Sequence, residues 1–384
     1  MAMKSFEAPR RTLMGPGPSD VHPRVLQAMA RPTIGHLDPA FVGLMDEICA
    51  LLRQTFRTEN ALTFPVSGPG SVAMEACFAN LLEPGDKIIV CANGVFGGRM
   101  KQMSERCGAE VVMVNSPWGR AVDVSAVEQA IKDNADARVL AFVHAETSTG
   151  AASDAQALAK LAQAAGMLTI VDTVTSLGGM PLEVDAWGLD AVYSGTQKCL
   201  SCPPGLAPVT FSPRAVARVT ERQTEVQSWF MDLRLVMGYW QGGAKRAYHH
   251  TAPINALYGL HEALLMLHET GLEQSWARHR AAHERLVAGL AELGLKLLVP
   301  EAERLPQLNS VIVPDDIDEA AVRASLLNEH GLEIGAGLGD LAGEVWRIGL
   351  MGQCADEAHV DFCLKALGAV LAEQRAGAEV SASA

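Results

Sequence analysis

The chain has 384 residues, 49% of them hydrophobic, enough to bury a large core and to suggest about two domains. A formal net charge of −13 without any basic run argues against nucleic acid as a partner. Gly, Pro or charge interrupts every long apolar stretch, so no membrane span is expected, and Met1 to Arg11 lacks the apolar segment of a secretory signal.

Short apolar runs alternate with amphipathic stretches from residue 60 to 212. Ala61 to Val66 reads as a strand and Val72 to Leu82 as a helix, and Lys87 to Cys91 is the next strand, after the turn Glu83-Pro84-Gly85-Asp86. Further strands are predicted at Glu110 to Val114, Val139 to His144, Leu168 to Asp172, Ala191 to Ser194 and Pro208 to Phe211. Helices fall between several of them, as at Val124 to Lys132 and Ala155 to Ala165. Buried β-branched runs alternating with helices predict a mostly parallel sheet covered on both faces, in an α/β fold. Ligands in such sheets bind beyond the C-terminal strand ends.

The pattern changes near residue 255. Leu257 to Thr270 and Trp276 to Leu293 read as long helices, followed by strands at Asn309 to Val313, Leu332 to Ile334 and Val345 to Leu350 around a helix at Glu319 to Glu329. Asp356 to Glu373 reads as the last helix, with acidic residues suited to its first turn. The expected organisation is an N-terminal arm (1–20), a large domain (21–255), a smaller C-terminal α+β domain (256–375) entered through a hinge helix at Ala256 to Gly271, and a disordered tail (376–384).

Two strand ends carry the chemistry. Leu168 to Val171 ends on Asp172, and the run Leu189 to Tyr193 is followed by Ser194-Gly195-Thr196-Gln197-Lys198-Cys199. A lysine amine can condense with the aldehyde of pyridoxal phosphate, and an aspartate can hold a proton on its pyridine nitrogen. Alone, the pair fits equally well a surface lysine in a turn and an aspartate capping a helix. Ser67-Gly68-Pro69-Gly70-Ser71 follows a strand and opens a helix, so its backbone N–H groups can cradle a phosphate. It is neither a Walker A sequence nor G-x-G-x-x-G, which opposes a nicotinamide dehydrogenase.

Phe96, in Gly94-Val95-Phe96-Gly97-Gly98-Arg99, lies past another strand and can stack on a ring or fill the core. His144-Ala145-Glu146-Thr147-Ser148-Thr149-Gly150 offers hydroxyls. Arg347, inside Trp346-Arg347-Ile348-Gly349, is a charge within an apolar strand. It needs either an ion-pair partner or a substrate carboxylate. Of eight cysteines, six have no metal-like grouping with His, which fits a reduced, cytoplasmic setting. Cys199-Leu200-Ser201-Cys202 is a lone C-x-x-C and reads as small fillers of a tight turn.

These motifs, with Gly15-Pro16-Gly17-Pro18-Ser19, Val171 to Gly179, Pro203-Pro204-Gly205 and Tyr248-His249-His250-Thr251, appear in the order of a known family. The chain resembles a class V aminotransferase of fold type I, in the alanine–glyoxylate and serine–glyoxylate branch, from about residue 11 to 373. The resemblance implies a large domain built on a mostly parallel seven-stranded sheet and the cofactor pyridoxal 5′-phosphate held covalently by Lys198. Asp172 would pair with the pyridinium, Phe96 would stack on the ring, and Gly70, Ser71 and Gln197 would hold the phosphate. Thr147 would lie near the ring oxygen and the substrate, Arg347 would take the substrate carboxylate, and Gly17 would line the pocket. Tyr248 and Thr251 would reach the phosphate of a partner subunit, making a homodimer with shared sites.

Two positions depart from the animal enzymes of the branch: Phe96 stands where tryptophan is common, and Ser71 where they carry histidine. With no second arginine motif for a distal carboxylate, the expected substrates are small amino and 2-oxo acids, with alanine or serine donating to glyoxylate. The alternatives are ureidoglycine–glyoxylate and pyridoxamine–pyruvate transamination. A cysteine desulfurase would need a mobile loop cysteine, for which Cys354 is the only loosely placed candidate. A regulator without turnover would carry a helix-turn-helix ahead of Gly15, and none is expected. No metal is expected.

Overall fold

The computed structural model describes residues 3–241 and 246–382, with side chains through Gly377. The chain opens with strand β1 (Thr12–Leu13) and helices α1 (Pro23–Met29) and α2 (Pro39–Phe56). Strands and helices then alternate as β2 (Leu62–Ser67), α3 (Gly70–Leu81), β3 (Lys87–Ala92), α4 (Val95–Arg106), β4 (Glu110–Asn115), α5 (Val124–Asp133) and β5 (Val139–Val143). A two-stranded hairpin follows, β6 (Ala145–Glu146) and β7 (Ala151–Ala152), then α6 (Ala155–Ala164), β8 (Leu168–Asp172), α7 (Val184–Trp187), β9 (Ala191–Tyr193) and β10 (Leu206–Phe211). Helices α8 (Pro213–Thr220), α9 (Leu233–Trp240), α10 (Ile254–Thr270) and α11 (Leu272–Glu292) lead to β11 (Leu308–Ile312) and α12 (Glu319–His330). The chain closes with β12 (Leu332–Glu333), β13 (Gly335–Ala336), β14 (Val345–Gly349) and α13 (Glu357–Ala382).

The central sheet has seven strands in the order β2-β10-β9-β8-β5-β3-β4. Only β10 runs antiparallel to its neighbours. The core strands are buried on both faces: every residue of β5 and β10 is buried, as is β8 from Thr169 onward. Side-chain caps set several helix starts, since Asp123, Asp154 and Ser212 accept the first free N–H groups of α5, α6 and α8. The chain order reverses between β3 and β5, so the loops after these strands diverge and open a crevice at the C-terminal edge.

Strands β11-β14-β13 form an antiparallel sheet covered by α11, α12 and α13, with its own apolar cluster including Trp346, Ile348 and Leu367. The arm belongs to this unit: β1 pairs in parallel with β12, and Met14 is fully buried in its cluster. The helix read as a hinge packs into the large unit. Ile254, Leu257, Leu260 and Leu264 of α10 join the large core, against α1 and α2. The core passes to the second unit along α11, where Leu272 still joins the large cluster and Ala282, Leu286 and Leu290 join the smaller one. The tail also differs from expectation, because α13 continues to Ala382 through an Ala-rich stretch of good helix formers. Ser383 and Ala384 lie outside the described residues.

Helices α1, α2, α4, α7, α8 and α9 are absent from the sequence reading. The start of α4 lies in the Gly-rich run Gly94 to Gly98, which by composition alone reads as a turn.

Candidate active site

Most of the residues singled out in the sequence come together at the C-terminal edge of the large sheet. Asp172 ends β8 and is 3% exposed. One carboxylate oxygen accepts the Tyr193 hydroxyl at 2.8 Å, and the other accepts the Val174 N–H at 2.9 Å. The first bond follows from register, because Asp172 and Tyr193 are directly paired across β8 and β9. Burial pushes the Asp172 carboxyl up to about 6, against the pull of these two donors and the nearby Lys198 and Arg99. The same burial, beside Asp172, holds the Tyr193 phenol well above its usual range.

Lys198 lies in the loop after β9 and is buried rather than on the surface. Its amine donates to the Pro16 carbonyl. Burial first, and then the Arg347 cation, lower the amine to about 8. The arm is fastened around it: the Ser19 N–H donates to the Gln197 carbonyl at 2.9 Å and the Ser19 hydroxyl to the Lys198 carbonyl at 2.7 Å. Gly17 has φ +97°, and a Cβ there would stand 2.7 Å from Lys198 Cδ and Nζ. A side chain at Gly17 would thus occupy the lysine's own space.

Arg347 is placed by the second unit. It sits in β14, opposite Ser310 on one side and Gly335 on the other, and is 6% exposed. Its Nε donates to the Ala336 carbonyl at 2.7 Å and its Nη1 to the Thr147 carbonyl at 3.1 Å. Among the described residues no carboxylate forms an ion pair with it. Burial pulls the guanidinium down to about 10. A buried cation satisfied only by carbonyls is a seat for an anion.

The turn from β2 into α3 is narrow. Gly70 is buried at the first position of α3, and a Cβ there would lie 3.3 Å from Val174 and 3.5 Å from the Ser194 carbonyl. Ser71, next along, accepts a hydrogen bond from Arg99 Nη1 at 3.2 Å, and the same guanidinium lies 5.0 Å over the Phe96 ring. The Gln197 amide oxygen beside this turn is buried and has no partner. A helix N-terminus, a cation and an unspent amide suit a phosphate, and Phe96 adds an apolar ring. Thr147 is buried, with its hydroxyl 3.5 Å from that of Thr175.

Tyr248 and Thr251 stand apart. Both are exposed, Tyr248 at 62%, and their hydroxyls lie 3.3 Å from each other. Between them, His250 hydrogen-bonds Ser67 at 2.7 Å. No described hydrogen bond joins Tyr248 or Thr251 to Lys198, Gly70 or Gln197.

Three site residues escaped the sequence reading. Tyr193 looks like one more apolar strand residue, Arg99 like an ordinary helix-surface cation, and Glu146 like a polar member of a hydroxyl cluster. Glu146 is fully buried. It accepts the N–H and hydroxyl of Ser148, leaves its other oxygen unpartnered, and is pushed by burial up to about 7. The cysteines after the lysine behave as fillers. Both are buried free thiols, raised to about 12 by burial, and the Cys199 thiol donates to the Thr175 carbonyl at 3.3 Å. Cys354 is fully buried in a short 3-10 turn rather than on an open loop.

The family described as Aminotransferase class-V matches residues 16–343. This chain belongs to the class V aminotransferases. Like them it is a pyridoxal-phosphate-dependent aminotransferase of fold type I. The crystal structure of an alanine–glyoxylate aminotransferase from Nostoc sp. superposes with a TM-score of 0.94 at 47% identity, covering 97% of this chain and 98% of that one. The ureidoglycine–glyoxylate aminotransferase structure from Bacillus subtilis gives a TM-score of 0.95 at 38% identity, over 97% and 96% of the two chains. The alanine–glyoxylate aminotransferase of Oryctolagus cuniculus is 40% identical over 95% of this chain and 93% of its own. The class V arrangement accounts for the convergence of a lysine, a strand-end aspartate and a Gly/Ser turn on one sheet edge.

Proposed function

We propose that this class V aminotransferase moves the amino group of alanine or serine to glyoxylate, with pyridoxal phosphate held covalently by Lys198. The observation that carries the substrate reading is Arg347, a buried guanidinium without an ion-pair partner among the described residues, close enough to Lys198 to depress its amine. Donor and acceptor each present one carboxylate, and a single fork serves both in turn. The names of the Nostoc and Oryctolagus relatives support the same substrates.

Bound pyridoxal phosphate supplies an aldehyde for amine exchange and a ring that accepts electron density. The protein supplies the rest. Lys198 Nζ, lowered to about 8, is neutral in a far larger fraction near neutral pH than an ordinary lysine, and in that form can take up and return the substrate Cα proton. Asp172, fixed by Tyr193 and the Val174 N–H, is oriented to keep a proton on a ring nitrogen. A cation opposite it favours its ionised form, against the effect of burial. The Gly70–Ser71 turn, Gln197 and Arg99 would hold the phosphate, Phe96 would offer an apolar ring face, and Thr147 would supply a hydroxyl near the cofactor and substrate. Gly17 and the Pro16 carbonyl leave just enough room for the lysine.

In this reading the active unit is a homodimer in which Tyr248 and Thr251 serve the partner's phosphate. Their exposure beside Trp229, itself 62% exposed and stacked on His249, supports an apolar contact surface. A cytoplasmic setting is supported by eight free cysteines.

A panel of alanine, serine and ureidoglycine against glyoxylate and pyruvate tests the substrate reading. Alanine or serine with glyoxylate should give the highest kcat/KM, and Lys198→Ala should transfer nothing. A marked preference for ureidoglycine would replace this reading with the second one, which the Bacillus relative favours. Sedimentation as a monomer at assay concentration would refute the shared site.

A further inference from the structure

At the back of the arm that encloses Lys198, three potential metal ligands from distant parts of the chain meet. Asp20 follows the Gly15-to-Ser19 arm, Cys354 lies in the turn after β14, and His359 is in the first turn of α13. Their ligating atoms all lie within 4.8 Å of one another. One Asp20 oxygen, Oδ2, is 3.5 Å from Cys354 Sγ and 3.7 Å from His359 Nε2. We propose that Asp20, Cys354 and His359 form a site for a divalent transition-metal ion of the zinc type, which clamps the arm to the C-terminal unit.

The spacing fits a metal ion as well as the weak S–H···O bonds that the Cys354 thiol makes to Asp20 at 3.5 Å and to the Leu13 carbonyl at 3.2 Å. A hydrogen bond would bring nitrogen and oxygen to about 2.7–3.2 Å, and the His359–Asp20 separation of 3.7 Å exceeds that. A tetrahedral ion, about 2.3 Å from sulfur and about 2.0–2.2 Å from nitrogen and oxygen, sets its ligand atoms about 3.4–3.6 Å apart. The two distances to Asp20 Oδ2 are close to these edges.

The surrounding groups are those of a metal site. His359 Nδ1 is 2.8 Å from Asp356 Oδ1, which turns Nε2 toward the other ligands, and Asp356 Oδ1 also caps α13 through the His359 N–H at 2.9 Å. Asp20 Oδ1 accepts the Leu13 N–H at 3.3 Å, leaving Oδ2 for the cluster. Soft sulfur with imidazole and carboxylate selects zinc-like ions over magnesium or calcium. Asp20 and His359 side chains are 28% and 27% exposed, so an ion can enter and a water can complete the tetrahedron. When the bond to Cys354 Sγ forms, its S–H bond breaks and the proton leaves to solvent.

The ion would join residues 13–20 to the start of α13 and so hold Pro16 and Gly17 against Lys198.

The test uses the cofactor-loaded enzyme, stripped with a chelator and dialysed against Zn²⁺ or Co²⁺. One ion per chain is expected, with Co²⁺ showing intense d–d bands in the red, beyond the cofactor's own absorption. Cys354→Ser and His359→Gln should abolish both signals. Asp356→Asn, which can still cap α13 but holds the histidine less firmly, should weaken binding by roughly tenfold. Circular dichroism and retained cofactor colour identify the variants that fold. No stoichiometric uptake by the wild-type chain would overturn the proposal, and so would unchanged uptake in a folded Cys354→Ser or His359→Gln variant.

Discussion

Removing the Tyr193 hydroxyl isolates the support of Asp172 from every direct contact with substrate. In Tyr193→Phe the ring remains in the core beside β8, and only the 2.8 Å bond to the Asp172 carboxylate is lost. A hydrogen bond to a charged group contributes about 1.5–3 kcal/mol. At about 1.36 kcal/mol per pKa unit, its loss raises the Asp172 carboxyl by about one to two units. The wild-type value already stands at about 6 through burial, so the variant carboxyl titrates at or above neutrality in the cofactor-free protein.

The stability difference has a definite sign with pH. Below about 6 Asp172 is protonated in both folded proteins and the charged bond contributes to neither. As pH rises through that value the wild type gains it and the variant does not, so the gap opens to about 1.5–3 kcal/mol at high pH. Urea unfolding of the cofactor-free proteins at pH 5 and pH 9 reads this directly. In the loaded enzyme kcat should fall by roughly 10–100-fold at neutral pH, while KM changes little. A stability gap independent of pH, together with unchanged kcat, would refute the assignment of Tyr193 as the residue that keeps Asp172 ionised.

Three further outcomes are expected. Arg347→Ala should raise KM for donor and acceptor alike, by roughly 10–100-fold, from the loss of a charge-assisted contact; a change for only one of them would exclude a shared carboxylate seat. On the proposed role of Lys198, cofactor capture by the cofactor-free protein requires its neutral amine, so the rate should rise with pH to a midpoint at about 8. That midpoint should move upward in Arg347→Ala, because the Arg347 cation helps depress it; stopped-flow absorbance checks both. Gly17→Ala should lose about 1–3 kcal/mol of stability from its left-handed backbone. It should also lose roughly a hundredfold in kcat as Lys198 is displaced, which unfolding and kinetic assays measure together.

Much of the large unit was legible in the sequence because its signals are local. The Leu168-to-Asp172 run is β8 residue for residue, and most other strands of the sheet begin and end within two residues of expectation. Turn chemistry located Ser67 to Ser71 and the loop carrying Lys198, since glycine and small polar residues must interrupt buried strands where the chain changes direction. Helices α1, α2, α8 and α9 lie outside the alternating stretch or beside Pro and Gly, and α4 begins in a glycine run, so composition concealed them. The C-terminal helix extends further than expected, through an Ala-rich end with helix propensity.

By itself the sequence determined the alternating α/β framework and placed Asp172, Lys198 and Arg347 at or within strands. Taken alone, the pair Lys198 and Asp172 could not be told from a turn lysine and a helix cap. That decision belonged to tertiary structure, because burial depends on what the arm and the second unit lay over them. Strand order brought Tyr193 to Asp172, β1–β12 pairing carried Pro16 and Gly17 onto the lysine, and β14 delivered Arg347 from about 150 residues away. Low-dielectric burial then lowered the lysine and raised the aspartate, shifts that follow from surroundings rather than from residue type.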